Sequence, residues 1–425
     1  MKLNASDITI VTHPGEILPF LPSQCQRLFV KNEINFYYFK WDCLENKTIK
    51  EIHLIWDYEI SGTLSDAITN LPLTLQKLTL SFDFDDSLDA LKDLPNLTHL
   101  VFPHNSWFNQ SIDFLPKSLT HLILGHSFNR RIDHLPGITA PGCSPMSNLP
   151  NLISLKLCGQ FNQPLNHLPP SLKILELNGE FNQPLDQLPF ALEVLILNNK
   201  FDQSINLAPK SLIKLTLGHK FNQSIEVLKD FLNLTHLSLG KDFNQELTAL
   251  PMSLSHLSFG FSFRNEIDAL AQCPNLVSLS FGFYFNKSIT ILSKCSKLST
   301  LSLGHYFNKK IKFLPKSILT LRLDTKFGKS LKRLPKGIIN LELKTDCSTV
   351  NLPNGIIHLT LGPDFKGTLG SKSTPETAHQ WNAYFESGGG PLTILPPSLK
   401  YLTLKGSYDK SLALTDPSIL ILRTP

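Results

Sequence analysis

The chain has 425 residues, of which 18% are charged, with 28 Phe, 29 Pro and 3 Met. A long sequence poor in charge and rich in Phe has to bury side chains evenly along its length, which favours a repeat architecture over several unrelated domains. A formal charge of +5 does not point to nucleic acid, and the seven cysteines form no CxxC or other tight cluster of the kind zinc requires.

Residues 1–12, MKLNASDITIVT, have no apolar stretch after Lys2 of the kind a signal peptide needs, and read as a capping strand around Ile8–Val11. No run of about 18 apolar residues follows that could span a bilayer. The expectation is therefore an intracellular, cytoplasmic protein without a membrane span. Strand signals begin at Cys25-x-x-Leu28-x-Val30 and Ile49-x-x-Ile52-x-Leu54. LPSQCQRLFV, residues 21–30, aligns without gaps on LPPSLKILEL, residues 168–177.

From residue 13 to 425 the chain reads as one solenoid. FNQPLNHLPPSLKILELNGE starts at Phe161, FNQPLDQLPFALEVLILNNK at Phe181 and FDQSINLAPKSLIKLTLGHK at Phe201, a period of 20 residues. Other units are 22 long, such as FNQSIEVLKDFLNLTHLSLGKD from Phe221, where other sequences replace the Leu-Pro corner. Internal repetition at this spacing is the signature of stacked units. Pairs such as Leu175 and Leu177, or Leu301 and Leu303, alternate with residues facing the other way, the period of a strand. Leu-Pro in the middle of each return forbids a helix interior there. The predicted fold is thus a β-rich, leucine-rich-repeat-like solenoid. It has a curved parallel sheet of about 18 units of 20–22 residues and extended, non-helical return segments. Insertions break the period at about 136–148 and 370–391.

Phe at the head of each unit should stack on its equivalents inside the coil. The Asn that follows it (109, 129, 162, 182, 222, 244, 286, 308) should pair its amide with open backbone groups at the turn. Several cysteines occupy Leu positions of the repeat: Cys25 opens a strand motif, and Cys273 and Cys295 stand where neighbouring units place the Leu of Leu-Pro. They read as buried free thiols, which suits a reducing compartment.

Phe161-Asn162-x-x-Leu165-x-x-Leu168-Pro169, repeated in phase along most of the chain, resembles the FNIP repeat, a leucine-rich-repeat relative of social amoebae and giant viruses of amoebae. The resemblance implies a protein-interaction scaffold, and for viral members a host-cell cytosol. It also implies a substrate-recognition adaptor of a ubiquitin ligase where an F-box precedes the array. Here repeat-like sequence already begins near residue 13, and no F-box signal is present.

The concave face of the coil, which shows the residues between the strand leucines, is the expected binding face. One column includes His99, His121, His236, His256, Thr300 and Thr320, and the next Ser238, Ser258, Ser280, Ser302 and Arg322. His pairs one repeat apart would lie about 5 Å apart; with no third ligand nearby, hydrogen bonding is the expected role, and no metal or cofactor is expected. Small β-formers also simply suit a parallel sheet. Lys309, Lys310, Lys312, Lys316, Lys329, Lys332, Arg333 and Lys336 form a basic flank. It reads as a solvated face or as a site for an acidic partner or anionic surface. It carries no interleaved aromatics that would suggest nucleic acid. Inside the second insertion Trp381 and Tyr384, with Phe385, share one face of a short predicted helix, either packed on the solenoid or offered as an anchor. The last strand signal, Ile419–Leu422, presents an edge able to pair with another copy. No phosphate loop, GxSxG or HExxH occurs, so the expected function is noncatalytic protein binding.

Overall fold

The computed structural model describes residues 7–9, 25–32, 48–56, 71–132, 149–324, 327–328, 331, 334–344, 352–363, 368–370, 392–406 and 418–424. The chain divides into two compact units, Met1–Gly218 and His219–Pro425.

In the first unit every described strand pairs in parallel with the next described strand in sequence. β1 (Asp7–Thr9), β2 (Arg27–Asn32), β3 (Glu51–Trp56), β4 (Lys77–Thr79) and β5 (His99–Val101) lead into β6 (His121–Leu124) and β7 (Ser154–Leu157). β8 (Ile174–Leu177), β9 (Val194–Leu197) and β10 (Lys214–Thr216) complete it. The second unit repeats the arrangement with β11 (His236–Ser238), β12 (His256–Ser258), β13 (Ser278–Ser280) and β14 (Thr300–Leu303). It continues through β15 (Thr320–Leu323), β16 (Asn340–Leu343) and β17 (His358–Leu361). β18 (Thr368–Gly370) and β19 (Leu392–Ile394) pair with each other in a separate sheet. β20 (Tyr401–Lys405) joins β17, and β21 (Leu420–Thr424) joins β20.

The alternating leucines explain the stacking. Leu175, Leu177, Leu195 and Leu197 are buried, whereas Ile174, Glu176, Val194 and Ile196 between them are partly exposed. Each buried Leu or Phe stabilises by about 1.5–3 kcal/mol relative to exposure. One unit alone has nothing to bury these side chains against, so neighbours are required. The predicted aromatic spine is present: Phe108, Phe128, Phe161, Phe181 and Phe201 stack at 6.0 to 6.2 Å between centroids. Phe221, Phe243, Phe263, Phe285, Phe307 and Phe327 stack likewise in the second unit, at 6.0 to 6.2 Å.

Described return segments hold no α-helix. The two extra residues of the longer units are taken up by a single 3-10 turn, as at Glu226–Asp230, Asp268–Gln272 and Thr290–Lys294. Cys273 and Cys295 follow the last two of these turns. Both are buried, and each thiol donates to a carbonyl of an earlier unit, Pro251 O and Leu270 O. Burial pushes the Cys273 thiol up to about 12, with the neighbouring Cys295 adding to the shift. The predicted insertion at 136–148 lies outside the described residues, as does that at 370–391 apart from Gly370.

Candidate binding surface

Parallel register sets the predicted columns side by side. His236 pairs with His256 and Ser238 with Ser258; Ser258 then pairs with Ser280, and Ser280 with Ser302. Thr300 pairs with Thr320, and Ser302 with Arg322. His236, His256 and Arg322 are exposed, and the Ser and Thr positions are half-buried. Ser238 and Ser258 share a hydroxyl hydrogen bond of 2.9 Å. The result is a polar strip of small side chains across β11 to β15, ending in Arg322, which pairs with Glu342 at 3.4 Å.

His99 and His121 face each other in the first unit, with stacked rings 4.2 Å apart and 5° from parallel. His236 and His256 stack at 4.2 Å and 7° in the second. For His99, His121 and His256 the preceding residue fixes the tautomer. Thr98 donates its one hydroxyl proton to Gln76 O at 3.0 Å, so the 2.9 Å contact to His99 Nδ1 is an Nδ1–H donating to Thr98 Oγ1. Thr120 serves His121 in the same way, and Ser255 serves His256. In the neutral form of each ring this leaves Nε2 as the acceptor. Parallel stacking holds the lone pairs of a pair side by side rather than convergent, unlike two ligands of one metal ion. Burial lowers the pKa of His99, helped by the charge of His121 and Lys77.

The turn asparagines face away from this chemistry. Asn162 Oδ1 accepts the backbone N–H of Asn182 at 2.9 Å, and Asn182 Oδ1 that of Asp202 at 2.9 Å. The same link joins Asn222 to Asn244 and Asn286 to Asn308. They form the predicted structural ladder.

Of the basic flank, Lys309, Lys310, Lys312, Lys316 and Lys336 are exposed, and none has an ion-pair partner among the described residues. Lys329, Lys332 and Arg333, and the insertion aromatics Trp381 and Tyr384, lie outside the described residues.

The structure also shows a feature that the leucine pattern hides. At the C-terminal ends of the strands Phe261, Phe283 and His305 form a second column, outside the spine, with rings 4.5 Å apart and within 8° of parallel. Tyr284 and Tyr306 stack beside it at 5.4 Å, edge-on to Phe283. Glycine makes this spacing possible: a Cβ on Gly282 would meet Gly260 O at 1.9 Å, and one on Gly304 would meet Gly282 O at 1.9 Å. A cleft of ≈ 190 Å³ opens between the column and the strand face, lined by Phe283, His305, Ser302, Arg322, Glu342 and Lys344 among others. The signal was present in FGFSF (259–263), FGFYF (281–285) and LGHYF (303–307), where an aromatic precedes the spine Phe by two positions.

Leucine strand, Phe spine and Asn ladder recur together, and the FNIP Repeat family matches residues 60–127, 108–137, 161–200 and 233–268. Over those segments the chain carries FNIP repeats. Among solved structures, these repeats resemble the Drosophila Toll–Spätzle complex at TM-score 0.55 and 14% identity, over 90% of this chain and 60% of that one. They also resemble the complex of TLR13 with single-stranded RNA, at TM-score 0.53 and 18% identity, over 94% of this chain and 57% of that one. CroV588, described as a circular leucine-rich-repeat protein, aligns over 99% of this chain and 88% of its own at 22% identity and TM-score 0.31. No protein with a curated description matches the sequence. The two likenesses above TM-score 0.5 establish the leucine-rich-repeat-like fold, a fold that typically serves as a noncatalytic interaction scaffold. Among the described residues no helix is long and apolar enough to cross a membrane.

Proposed function

We propose that the chain is a noncatalytic protein-binding scaffold, acting in the cytosol, whose outward strand face from β11 to β15 meets the partner. One observation carries the reading. His236, His256, Ser258, Ser280, Thr300, Ser302, Thr320 and Arg322 stand in register on adjacent strands, solvent-accessible. Such a strip offers hydrogen-bond donors and acceptors at a fixed spacing with little conformational entropy to lose on binding. The concave strand face of a repeat array is where such proteins commonly bind, and the Toll neighbour was solved in complex with the protein Spätzle. His99 and His121 give the first unit a smaller patch of the same chemistry.

The test is affinity capture from cell lysate with wild type beside a His236→Glu, His256→Glu double variant, with circular dichroism to confirm the fold of both. The reading expects proteins held by wild type and lost by the variant. Identical sets of captured proteins would move the interface off this face.

A further inference from the structure

We propose that the aromatic column at the strand ends of the second unit is a docking site for an acidic segment of a partner protein bearing an apolar or aromatic anchor. The proposal rests on the protein-binding reading and adds the place and the chemistry of one contact.

The patch is exposed where an aromatic ring would normally be buried. Phe261 is 37% exposed, Tyr284 43% and Tyr306 36%, whereas the spine rings Phe263 and Phe285 are 0%. Contiguous apolar surface of this kind on a soluble protein marks an interaction site. Its surroundings specify the partner's charge. Between Asp268 and Asp324 every charged residue is Lys or Arg. At one end of the column Lys241 Nζ lies 5.7 Å above the Phe261 ring. At the other, Arg322 and Lys344 line the cleft that Phe283 and His305 wall, together with Glu342 and Asp324, with which they pair at 3.4 and 3.8 Å. Lys309 and Lys310, exposed beyond the spine, have no ion-pair partner among the described residues.

Ring orientation separates an acidic peptide from the other polyanion such a surface could take, a single-stranded nucleic acid. Bases bind such platforms by stacking on open ring faces. Here the faces of Phe261, Phe283 and His305 cover one another at 4.5 Å, and those of Tyr284 and Tyr306 at 5.4 Å, too close to admit a base between them. Apart from its two end faces, one of them under Lys241, what the Phe column offers is ring edges, the positive part of the aromatic quadrupole, which suits carboxylates. The cleft beside Phe283 and His305 has room for one apolar side chain, with a flanking carboxylate reaching Lys241 on the Phe261 side.

The experiment is selection of a displayed random-peptide library on the immobilised full chain, followed by affinity measurement of the selected peptides. The expected result is peptides in which Asp and Glu flank an aromatic or large aliphatic residue. Affinity should fall about tenfold or more in a Tyr284→Ser, Tyr306→Ser variant. It should fall also in Lys241→Glu, a surface change that leaves the packed rings untouched. Binding should weaken steeply as salt rises toward about 1 M, where charges are screened within about 3 Å. An oligouridylate probe should not compete. Selected peptides without acidic enrichment, or affinity unchanged in both variants, would overturn the proposal, as would displacement by oligouridylate. Peptides that survive both variants but are lost in Ser280→Glu would overturn the rim site while leaving the protein-binding reading intact. Failure of that reading would appear instead in the capture experiment, as a wild type that retains no protein.

Discussion

Asn162 shows how much of this array depends on single polar atoms. Its Oδ1 accepts from the Asn182 N–H and sits 3.3 Å from Gln183 Nε2. Replacing it with Ala strands a half-buried N–H, at a cost of about 1–3 kcal/mol. Asn162→Asp keeps the acceptor, just as Asp85 accepts from the Asn109 N–H at 2.7 Å, and should cost less; denaturant titration of the three proteins checks the order. The role of these asparagines was legible in the sequence, because a polar residue recurring at one turn position has few other uses. The histidine tautomers were not, because they depend on the Thr or Ser hydroxyl beside each ring and on the carbonyl to which it donates. A consequence in pH follows. His99 is held below its ordinary value of 6.5, first by burial and then by the charge of His121 and Lys77. The unfolded chain therefore takes up this proton at higher pH than the folded one. The contribution is fully favourable above about pH 6.5 and is lost as pH falls from there through the lowered folded value. Denaturation of wild type and of a His99→Gln variant at about pH 7.5 and about pH 5 should show the larger acid loss in wild type. Equal losses would contradict the assignment.

At the scale of the strand and its return, sequence and structure agree because the same positions do the same work in every unit. Leu-x-Leu gives a strand, Leu-Pro keeps the return out of a helix, and the leading Phe enters the spine. Phe181 is 1% exposed and stacks on both Phe161 and Phe201 at 6.2 Å. Phe181→Ala should therefore destabilise the first unit by about 3–5 kcal/mol, measured by thermal or chemical unfolding, with Phe181→Leu costing less. A loss below about 1 kcal/mol would mean that the spine relaxes around the cavity. The 3-10 turns were harder to foresee, since two added residues can be absorbed in several ways and Glu226–Asp230 carries no side-chain cap. The rim column was missed for a related reason. Phe261 and Phe283 stand two residues from spine phenylalanines, and a search for the repeat credits each aromatic cluster to the spine alone. Only the glycine contacts at 260, 282 and 304 show that a second column fits beside it.

At the scale of the whole molecule, stability should be close to a sum of unit and nearest-neighbour terms, so that a local lesion opens local strands. Repetition also distributes function. A periodic surface specifies a partner only where side chains depart from the template, and in the second unit they depart in two places, the His/Ser/Thr/Arg strip and the aromatic rim. The fold could be read from the leucines because packing obeys the period. The candidate site was only partly readable, because it rests on the exceptions, and an exception in one sequence looks like tolerated variation. The central claim, that proteins are bound on the strand face of the second unit, is tested most directly by site-specific photo-crosslinking. A photoreactive residue would replace Ser280 on that face and, in a second protein, the exposed Met252 at the corner before β12. The account predicts discrete protein adducts from position 280 and none in common from position 252. Adducts from 252 with none from 280 would contradict it.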